Sequence, residues 1–208
     1  MPYERYAWDR PPNSRIPNRP GDRLSEPLFL SLGKAVSAWE GVQAATSSLY
    51  FAMSAPELDE VEKDPGFQAF GGLNKVHERR KELMKRGEEF VSRGLGKHQD
   101  QASNFKRRLK SVMHSYVGWA ARRNDIAHGY VTESGTPDYD DPDQPTTIVY
   151  SLCPSHARLS KWSHGEPEYN YVASELEYFA SCFQHLDERI EDLARFADRL
   201  SRARAGIG

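Results

Sequence analysis

An unbroken series of apolar residues runs through the C-terminal part of the sequence at spacings of three and four. This spacing indicates one long helix with a buried face, because residues three and four apart lie on the same side of an α-helix. Ser174 and Glu177 have the spacing of a capping box at its start. The repeat is also that of a coiled-coil seam, so the helix could pack inside one subunit or extend and pair with a second copy. The apolar positions are Leu176, Phe179, Phe183, Leu186, Ile190, Leu193, Ala197 and Leu200.

Three earlier stretches show the same helical periodicity. Between the first and second of them, residues 54–72 are expected to form a loop in which Phe67 and Phe70 fill a gap in the packing. The sequence therefore predicts an all-α protein, a helical bundle of four to five helices with a small β-hairpin inserted before the last helix. The earlier helices are predicted at about 25–53, 73–92 and 101–128.

The β-rich segment 146–152 interrupts the helical pattern. A weaker β pattern at 168–172 is its expected partner, and the acidic stretch 133–145 is expected to be a loop. We therefore expect a small hairpin or three-stranded flap over about 130–172, between the third helix and the last one.

The first 24 residues are rich in proline, arginine and asparagine and show no periodicity. They predict an extended arm that Tyr3, Tyr6 and Trp8 could attach to the body of the protein or to a partner copy; a loose tail is the alternative. The predicted organisation is an arm over 1–24, one helical domain over 25–204 and a frayed tail over 205–208.

The overall charge argues against a general affinity for polyanions, because the formal net charge is −2. Any nucleic-acid site must therefore come from local clustering of basic residues. The two cysteines lack a CxxC spacing and give no zinc signature, so we expect neither a metal nor a cofactor. No apolar run is long enough for a membrane span, and a cytoplasmic protein without membrane contact is expected.

Polar and charged residues at 122–130 close the third predicted helix. At ~100° per residue, Arg123 falls on the apolar stripe of that helix. A guanidinium there keeps its charge, so it must be paired or reserved for an anionic ligand. Glu40 is a candidate partner, and a solvated Glu40 is the alternative. His128 is expected in the last turn, where the negative helix end favours a protonated imidazole, and Gly129 is expected as the C′ residue that ends the helix.

The relative position of Arg123 and His128 limits how they can act together. In a regular helix they lie ~140° apart around the axis and about 7–8 Å apart along it, whereas Asn124 and His128 share a face. Arg123 and His128 can therefore converge only if the last turn unwinds or if a second copy brings its own pair across an interface. The alternative is an ordinary helix end with an incidental basic residue.

Basic residues are concentrated in the second predicted helix and at the start of the third. Arg79, Arg80 and Lys85 are candidates for contacts with RNA phosphates. A solvated helix face is the alternative. Arg122 and Tyr130 are further candidates for substrate binding.

The sequence Arg-Asn-Asp-Ile-Ala-His-Gly at 123–129 resembles the Arg-polar-x3-His motif of the HEPN superfamily (higher eukaryotes and prokaryotes nucleotide-binding domains). The resemblance implies a helical bundle, a homodimer that brings two motifs together, and metal-independent cleavage of RNA. It also implies a place in a toxin–antitoxin or antiviral defence system, with an antitoxin or another defence protein as a candidate partner. The segment at about 130–172 is longer than the loop of a minimal HEPN bundle.

On this resemblance the expected catalytic residues are Arg123, Asn124 and His128. His128 would transfer protons, Arg123 would hold the scissile phosphate, and Asn124 would orient His128 or the phosphate. The alternative from another class is a catalytically silent HEPN-like dimerisation or nucleotide-binding module, with Arg123 in a structural ion pair and His128 as a helix-end cation. A helical scaffold whose basic face binds an unrelated partner is a third interpretation.

Overall fold

The computed structural model describes residues 6–11, 14, 21–54, 65–94, 99–136, 147–163 and 166–205. Within these residues the protein is mostly helical and carries two small antiparallel strand pairs, which confirms the coarse prediction of a helix-dominated fold. None of the described helices combines the length and the apolar character needed to cross a lipid bilayer. The helices are α1 (Ser25–Ala52), α2 (Pro65–Gly71), α3 (Val76–Gly94), α4 (Gln99–Ala127) and α5 (Ala173–Ala205). The strands are β1 (Gly129–Thr136), β2 (Thr147–Pro154), β3 (Trp162–Ser163) and β4 (Glu166–Pro167), with a one-turn 3₁₀ helix (Leu159–Lys161) before β3.

The chain divides into two compact units. The first, here called the hairpin unit, comprises Met1–Ala38 and Ala121–Cys182 and contains both strand pairs. The second, here called the helical unit, comprises Trp39–Ala120 and Phe183–Gly208. Each of α1, α4 and α5 contributes part of its length to each unit.

The core of the helical unit is built on aromatic side chains. Trp39 of α1 stacks on Tyr116 of α4 with ring centroids 5.5 Å apart, and Phe183 of α5 packs edge-on against Trp39 at 5.2 Å. Phe70 is buried, as predicted, and stacks on Tyr50 at 4.4 Å. Phe70 belongs to α2, so the prediction of a loop there is wrong. The pattern does not reveal α2 because the helix has 7 residues, too few for an apolar period to be recognised.

Helix α5 confirms the apolar series but not the predicted cap. Every residue of the series is at most 8% exposed, so the whole series forms one buried face. The first helical residue is Ala173, whose N–H donates to Asp22 Oδ2 at 2.7 Å, while Glu175 Oε2 accepts from the Val172 N–H at 3.3 Å. Glu177 instead forms an ion pair with Lys34 of α1, with Nζ and Oε1 3.1 Å apart. A carboxylate that lies far away in sequence takes the capping role, which local spacing cannot predict.

The strands β1 and β2 form an antiparallel hairpin in which Gly129 pairs with Pro154. The partner of β2 is therefore β1, whose second half covers a stretch that the sequence predicts as loop. The predicted partner segment at 168–172 instead contributes an isolated bridge between Tyr171 and Leu152.

The N-terminal arm is attached to the hairpin unit through its backbone. Asp22 and Tyr150 exchange two backbone hydrogen bonds of 2.8 and 2.7 Å. The carbonyl of Ser14 accepts from the Asn170 N–H at 2.8 Å. The arm thus extends the hairpin at one edge, where unpaired backbone groups of β2 would otherwise meet water.

Two of the aromatic residues expected to attach the arm, Tyr6 and Trp8, are in contact with each other. Tyr6 and Trp8 stack on each other with ring centroids 4.8 Å apart, and Tyr6 is exposed. Tyr3 and the tail after residue 205 lie outside the described residues.

Candidate functional site

The end of α4 leads directly into the hairpin. The His128 N–H donates to the Asn124 carbonyl at 3.2 Å, which continues the helical pattern by one residue beyond Ala127. The His128 carbonyl accepts from the Ser155 N–H at 3.3 Å, which continues the pairing of β1 with β2. His128 is therefore fixed on both sides by its backbone, while its side chain is exposed.

Gly129 permits this direct transition, but not in the way the sequence suggests. The helix ends just before Gly129, as predicted, but the φ of Gly129 lies outside the left-handed region that is usual for a C′ glycine, and Gly129 is the first residue of β1. A Cβ on Gly129 would lie 2.9 Å from the Asp125 carbonyl oxygen, 3.0 Å from the Cys153 carbonyl oxygen and 3.0 Å from Leu152 Cδ1. Glycine is needed because the strand passes too close to its neighbours for any side chain.

A buried ion-pair network lies directly behind the motif. Asp125 is 7% exposed, and its carboxylate accepts hydrogen bonds of 3.0 Å from both Nε and Nη2 of Arg10. The same carboxylate accepts from the Tyr171 hydroxyl at 2.9 Å and lies 3.3 Å from Arg122 Nη1. The Tyr169 hydroxyl donates to the Asp125 carbonyl at 2.8 Å. These contacts lock the last turn of α4 to the arm and to the chain before α5.

Two further charges complete the network. Arg10 Nη1 also donates to Glu168, and Lys161 Nζ lies 2.6 Å from the same carboxylate. Burial by itself would lower the pKa of Arg10, but hydrogen bonds to Asp125 and Glu168 raise it above its ordinary value. Burial by itself would raise the pKa of Glu168, but hydrogen bonds from Arg10 and Lys161 lower it below its ordinary value. Burial raises the pKa of the Tyr171 phenol, and the Asp125 charge adds to the effect, so the phenol stays protonated as a donor.

The structure therefore reassigns two arginines. Arg122, a candidate for substrate binding, is 8% exposed and is committed to Asp125 and Tyr171. Arg123 is only half-buried, so its expected place in the middle of the apolar stripe is wrong. Its Nη1 donates to Asn124 Oδ1 at 3.4 Å. The predicted partner Glu40 is exposed, and the pair with Arg123 is not formed within the described part of the chain.

The shift by one residue has a physical cause. Along most of α4 the apolar face packs in the helical unit, but its last turns lie in the hairpin unit. There the buried positions are Arg122, Asp125 and Ile126, and the first two bind the tyrosines before α5. An azimuth extrapolated from the middle of the helix cannot detect this change of neighbour.

Aromatic side chains cluster at the start of the hairpin. Tyr130 is the second residue of β1 and follows His128 by two positions. The Tyr130 ring centroid is 5.2 Å from that of His156, which in turn stacks on Trp162 at 4.4 Å. Burial raises the pKa of the Tyr130 phenol, and the neighbouring Cys153 adds to this effect.

We call the group formed by these residues the motif surface; it consists of Arg123, Asn124, His128, Tyr130, His156 and Trp162. His156 is exposed and directly follows Ser155, whose N–H is bonded to the His128 carbonyl. In an antiparallel pair, bonded residues have Cα atoms roughly 5 Å apart, so the two imidazoles are carried on neighbouring segments of backbone. Sequence reasoning missed His156 because it lies in a non-periodic turn that only the hairpin pairing brings to the motif.

The predicted basic face of α3 belongs to the helical unit. Arg79 is engaged with the chain around α2: it donates to the carbonyls of Leu73 at 2.6 Å and Gly71 at 3.3 Å. Arg80 is exposed, and Lys85 is exposed with its Nζ 4.0 Å from a Glu89 carboxylate oxygen on the same helix. Arg80 and Lys85, rather than Arg79, are the members of this face that are available to a ligand.

In the part of the chain that the structure describes, no group of three or more His, Cys, Asp or Glu side chains is placed to hold a metal ion. Comparison of the chain with models of known protein families, with curated proteins and with solved structures finds no match.

Proposed function

We propose that this chain is a metal-independent endoribonuclease of the HEPN type, acting as a toxin or defence effector. The observation that carries the proposal is the contrast between buried and accessible side chains over residues 122–128. Arg122 and Asp125 are buried and fix the helix end, whereas the Arg123, Asn124 and His128 side chains remain accessible on the motif surface. A rigid backbone with accessible functional groups is what a catalytic site requires.

The chemistry follows from the substrate. RNA carries its own nucleophile, the 2′-hydroxyl, beside the scissile phosphate. One group must take the 2′-hydroxyl proton, and another must protonate the leaving 5′-oxygen. The 2′-oxygen then bonds to phosphorus as the P–O5′ bond breaks, which leaves a 2′,3′-cyclic phosphate and a 5′-hydroxyl.

The motif surface offers a group for each role. Imidazoles exchange protons near neutral pH, and His128 is the proposed proton-transfer group. Arg123 would hold the phosphoryl oxygens in the transition state, and Asn124 would orient Arg123, with which it shares a hydrogen bond. His156 offers a second imidazole from the same chain. A second copy of the protein could supply the other set, in the composite dimeric site that the resemblance implies.

The test is cleavage of an end-labelled RNA in EDTA by the parent protein, His128→Ala and Arg123→Ala. Each substitution should slow cleavage by roughly 10²–10⁴-fold, the usual contribution of one proton-transfer or charge-stabilising group. The double variant should lose less than the product of the two effects, because both groups act on one transition state. His185→Ala is the matched control, since His185 is an exposed imidazole on α5 in the helical unit.

Thermal melts of all variants separate loss of chemistry from loss of fold. His128 is exposed, so His128→Ala should melt within a few degrees of the parent. If His128→Ala melts normally and cuts RNA at the parental rate, the nuclease proposal is wrong.

A catalytically silent HEPN-like dimerisation or nucleotide-binding module is the second candidate. It is favoured by the commitment of Arg122 and Asp125 to a structural network, which shows that part of the motif stabilises the fold. Such a module should neither degrade RNA in EDTA nor arrest growth when the chain is expressed alone. The nuclease should do both.

A further inference from the structure

An arginine-lined cavity lies between α4 and α5 in the helical unit. Its volume is about 290 Å³. The lining residues are Arg107, Arg108, Ser111, Val112, Arg189 and Asp192. This cavity is separate from the motif surface in sequence and belongs to the other unit of the chain.

The three guanidinium groups of the cavity have neutral partners. Arg189 donates from Nη1 to Ser115 Oγ at 3.3 Å and from Nη2 to Ser111 Oγ at 3.2 Å. Arg107 donates to Asn104 Oδ1 at 3.2 Å. These bonds orient the guanidiniums without neutralising them, because hydroxyl and amide groups carry no formal charge.

Arg108 is held by an aromatic ring. Its guanidinium carbon lies 5.2 Å from the centroid of the Phe196 ring, within the range of a cation–π contact. No carboxylate lies within 4.0 Å of the Arg107, Arg108 or Arg189 guanidinium among the residues that the structure describes.

The acidic group of the lining is already paired. Asp192 Oδ1 lies 2.7 Å from Nη2 of Arg195. That hydrogen bond lowers the pKa of Asp192, and the charges of Arg195, Arg108 and Arg199 add to the effect. Three arginines and one aspartate leave the lining with a net charge of +2.

From this arrangement we propose that the cavity is a binding site for a terminal phosphate ester. The planar fork of arginine matches phosphate oxygens, and the Ser111 hydroxyl stands beside Arg189 in the lining as a further donor. A net charge of +2 suits a dianionic phosphomonoester better than the single charge of an internal phosphodiester. The volume is at the lower end for small-ligand sites, enough for a phosphate with part of a nucleoside but not for a folded RNA.

Two probes distinguish a free nucleotide from the phosphorylated end of an RNA strand as the ligand of the cavity. The first probe is AMP, with adenosine as the uncharged control, measured by isothermal titration calorimetry on the full chain. The second is a short RNA with a 5′-phosphate, compared with the same RNA carrying a 5′-hydroxyl, with His128→Ala protein so that cleavage does not interfere. Binding of AMP identifies a free nucleotide as the ligand, whereas binding of the 5′-phosphorylated strand without AMP binding identifies a strand end.

The variants are Arg189→Gln and Arg107→Gln, each of which removes one charge from the lining. Each should weaken binding of the phosphorylated probe about tenfold or more, as expected for loss of a charge-assisted hydrogen bond. Arg202→Gln is the matched control, because Arg202 is exposed on the same helix as Arg189 and pairs with Asp198 at 2.9 Å. It should bind like the parent.

Adenosine binding as tightly as AMP, or parental affinity in both cavity variants, would overturn the proposal. So would the absence of binding by both phosphorylated probes at millimolar concentration. Arg107 is exposed, so Arg107→Gln keeps the test valid if Arg189→Gln melts early. The readout is binding rather than cleavage, so the proposal stands or falls independently of the nuclease function.

Discussion

Replacement of Asp125 by alanine should destabilise the protein more than any other single substitution in the motif. The Asp125 carboxylate pairs with Arg10 and Arg122, whose side chains are 6% and 10% exposed. It also accepts the Tyr171 hydroxyl. Its removal leaves the buried Arg122 without its carboxylate and leaves Arg10 with Glu168 as its remaining carboxylate partner among the residues that the structure describes.

The expected loss is about 3–5 kcal/mol of unfolding free energy, the usual effect of removing one partner from a buried ion pair. For a chain of 150–250 residues each kcal/mol lowers the melting temperature by roughly 2–4 °C, so a decrease of roughly 6–20 °C is expected. Differential scanning calorimetry at pH 7 measures both quantities. The loss is a large fraction of the roughly 5–15 kcal/mol that stabilises a typical domain.

Arg10→Ala provides the comparison within the same network. It leaves Asp125 paired with Arg122, and it leaves Glu168 paired with Lys161. The expected loss is therefore smaller, roughly 1–3 kcal/mol. In the Asp125→Ala background the same substitution should cost less, by a coupling energy of about 0.5–3 kcal/mol. Strict additivity, or a parental melting temperature for Asp125→Ala, would refute the assignment of Asp125 as the centre of the network.

Four further outcomes are expected. Gly129→Val should lower the melting temperature by several degrees, because its side chain would meet two carbonyl oxygens and a leucine methyl, and calorimetry checks this. Folding lowers the pKa of Glu168, so the Glu168 carboxylate stabilises the fold above its unfolded pKa, and this stabilisation is lost as pH falls through its folded pKa. Glu168→Gln should therefore make the melting temperature depend less on pH below about pH 5, as measured in melts at a series of acidic pH values. Charge reversal at Arg80 and Lys85 should weaken RNA binding and reduce the slope of log affinity against log salt, and an unchanged slope in filter-binding assays would contradict a phosphate contact there. Light scattering at micromolar concentration should detect a dimer, and a strict monomer would count against the composite site.

The long helices could be predicted from the sequence because their signal is local. In α5 the apolar residues repeat over the whole helix and all become buried, so the pattern and the packing agree. The start of the same helix could not be predicted, because Asp22 supplies the cap from a distant part of the chain.

The candidate site was predictable only in part. The sequence places Arg123, Asn124 and His128 at the end of the third predicted helix, and the structure has them at the end of α4. The buried role of Arg122 depends on a hairpin and two tyrosines whose location no helical period encodes. The second imidazole, His156, reaches the motif through strand pairing, which joins residues with no local sequence relationship.

The attachment of the N-terminal arm has a consequence for the order of folding during synthesis. Arg10 leaves the ribosome 115 residues before Asp125 and 158 residues before Glu168, and Asp22 leaves it 151 residues before the α5 terminus that it caps. The arm is therefore made before the residues that it binds and has no partner until they have emerged. Closing loops of this length is slow compared with forming helices. The arm should be the last segment to become protected from hydrogen exchange in a refolding experiment, although it is translated before the residues that it binds.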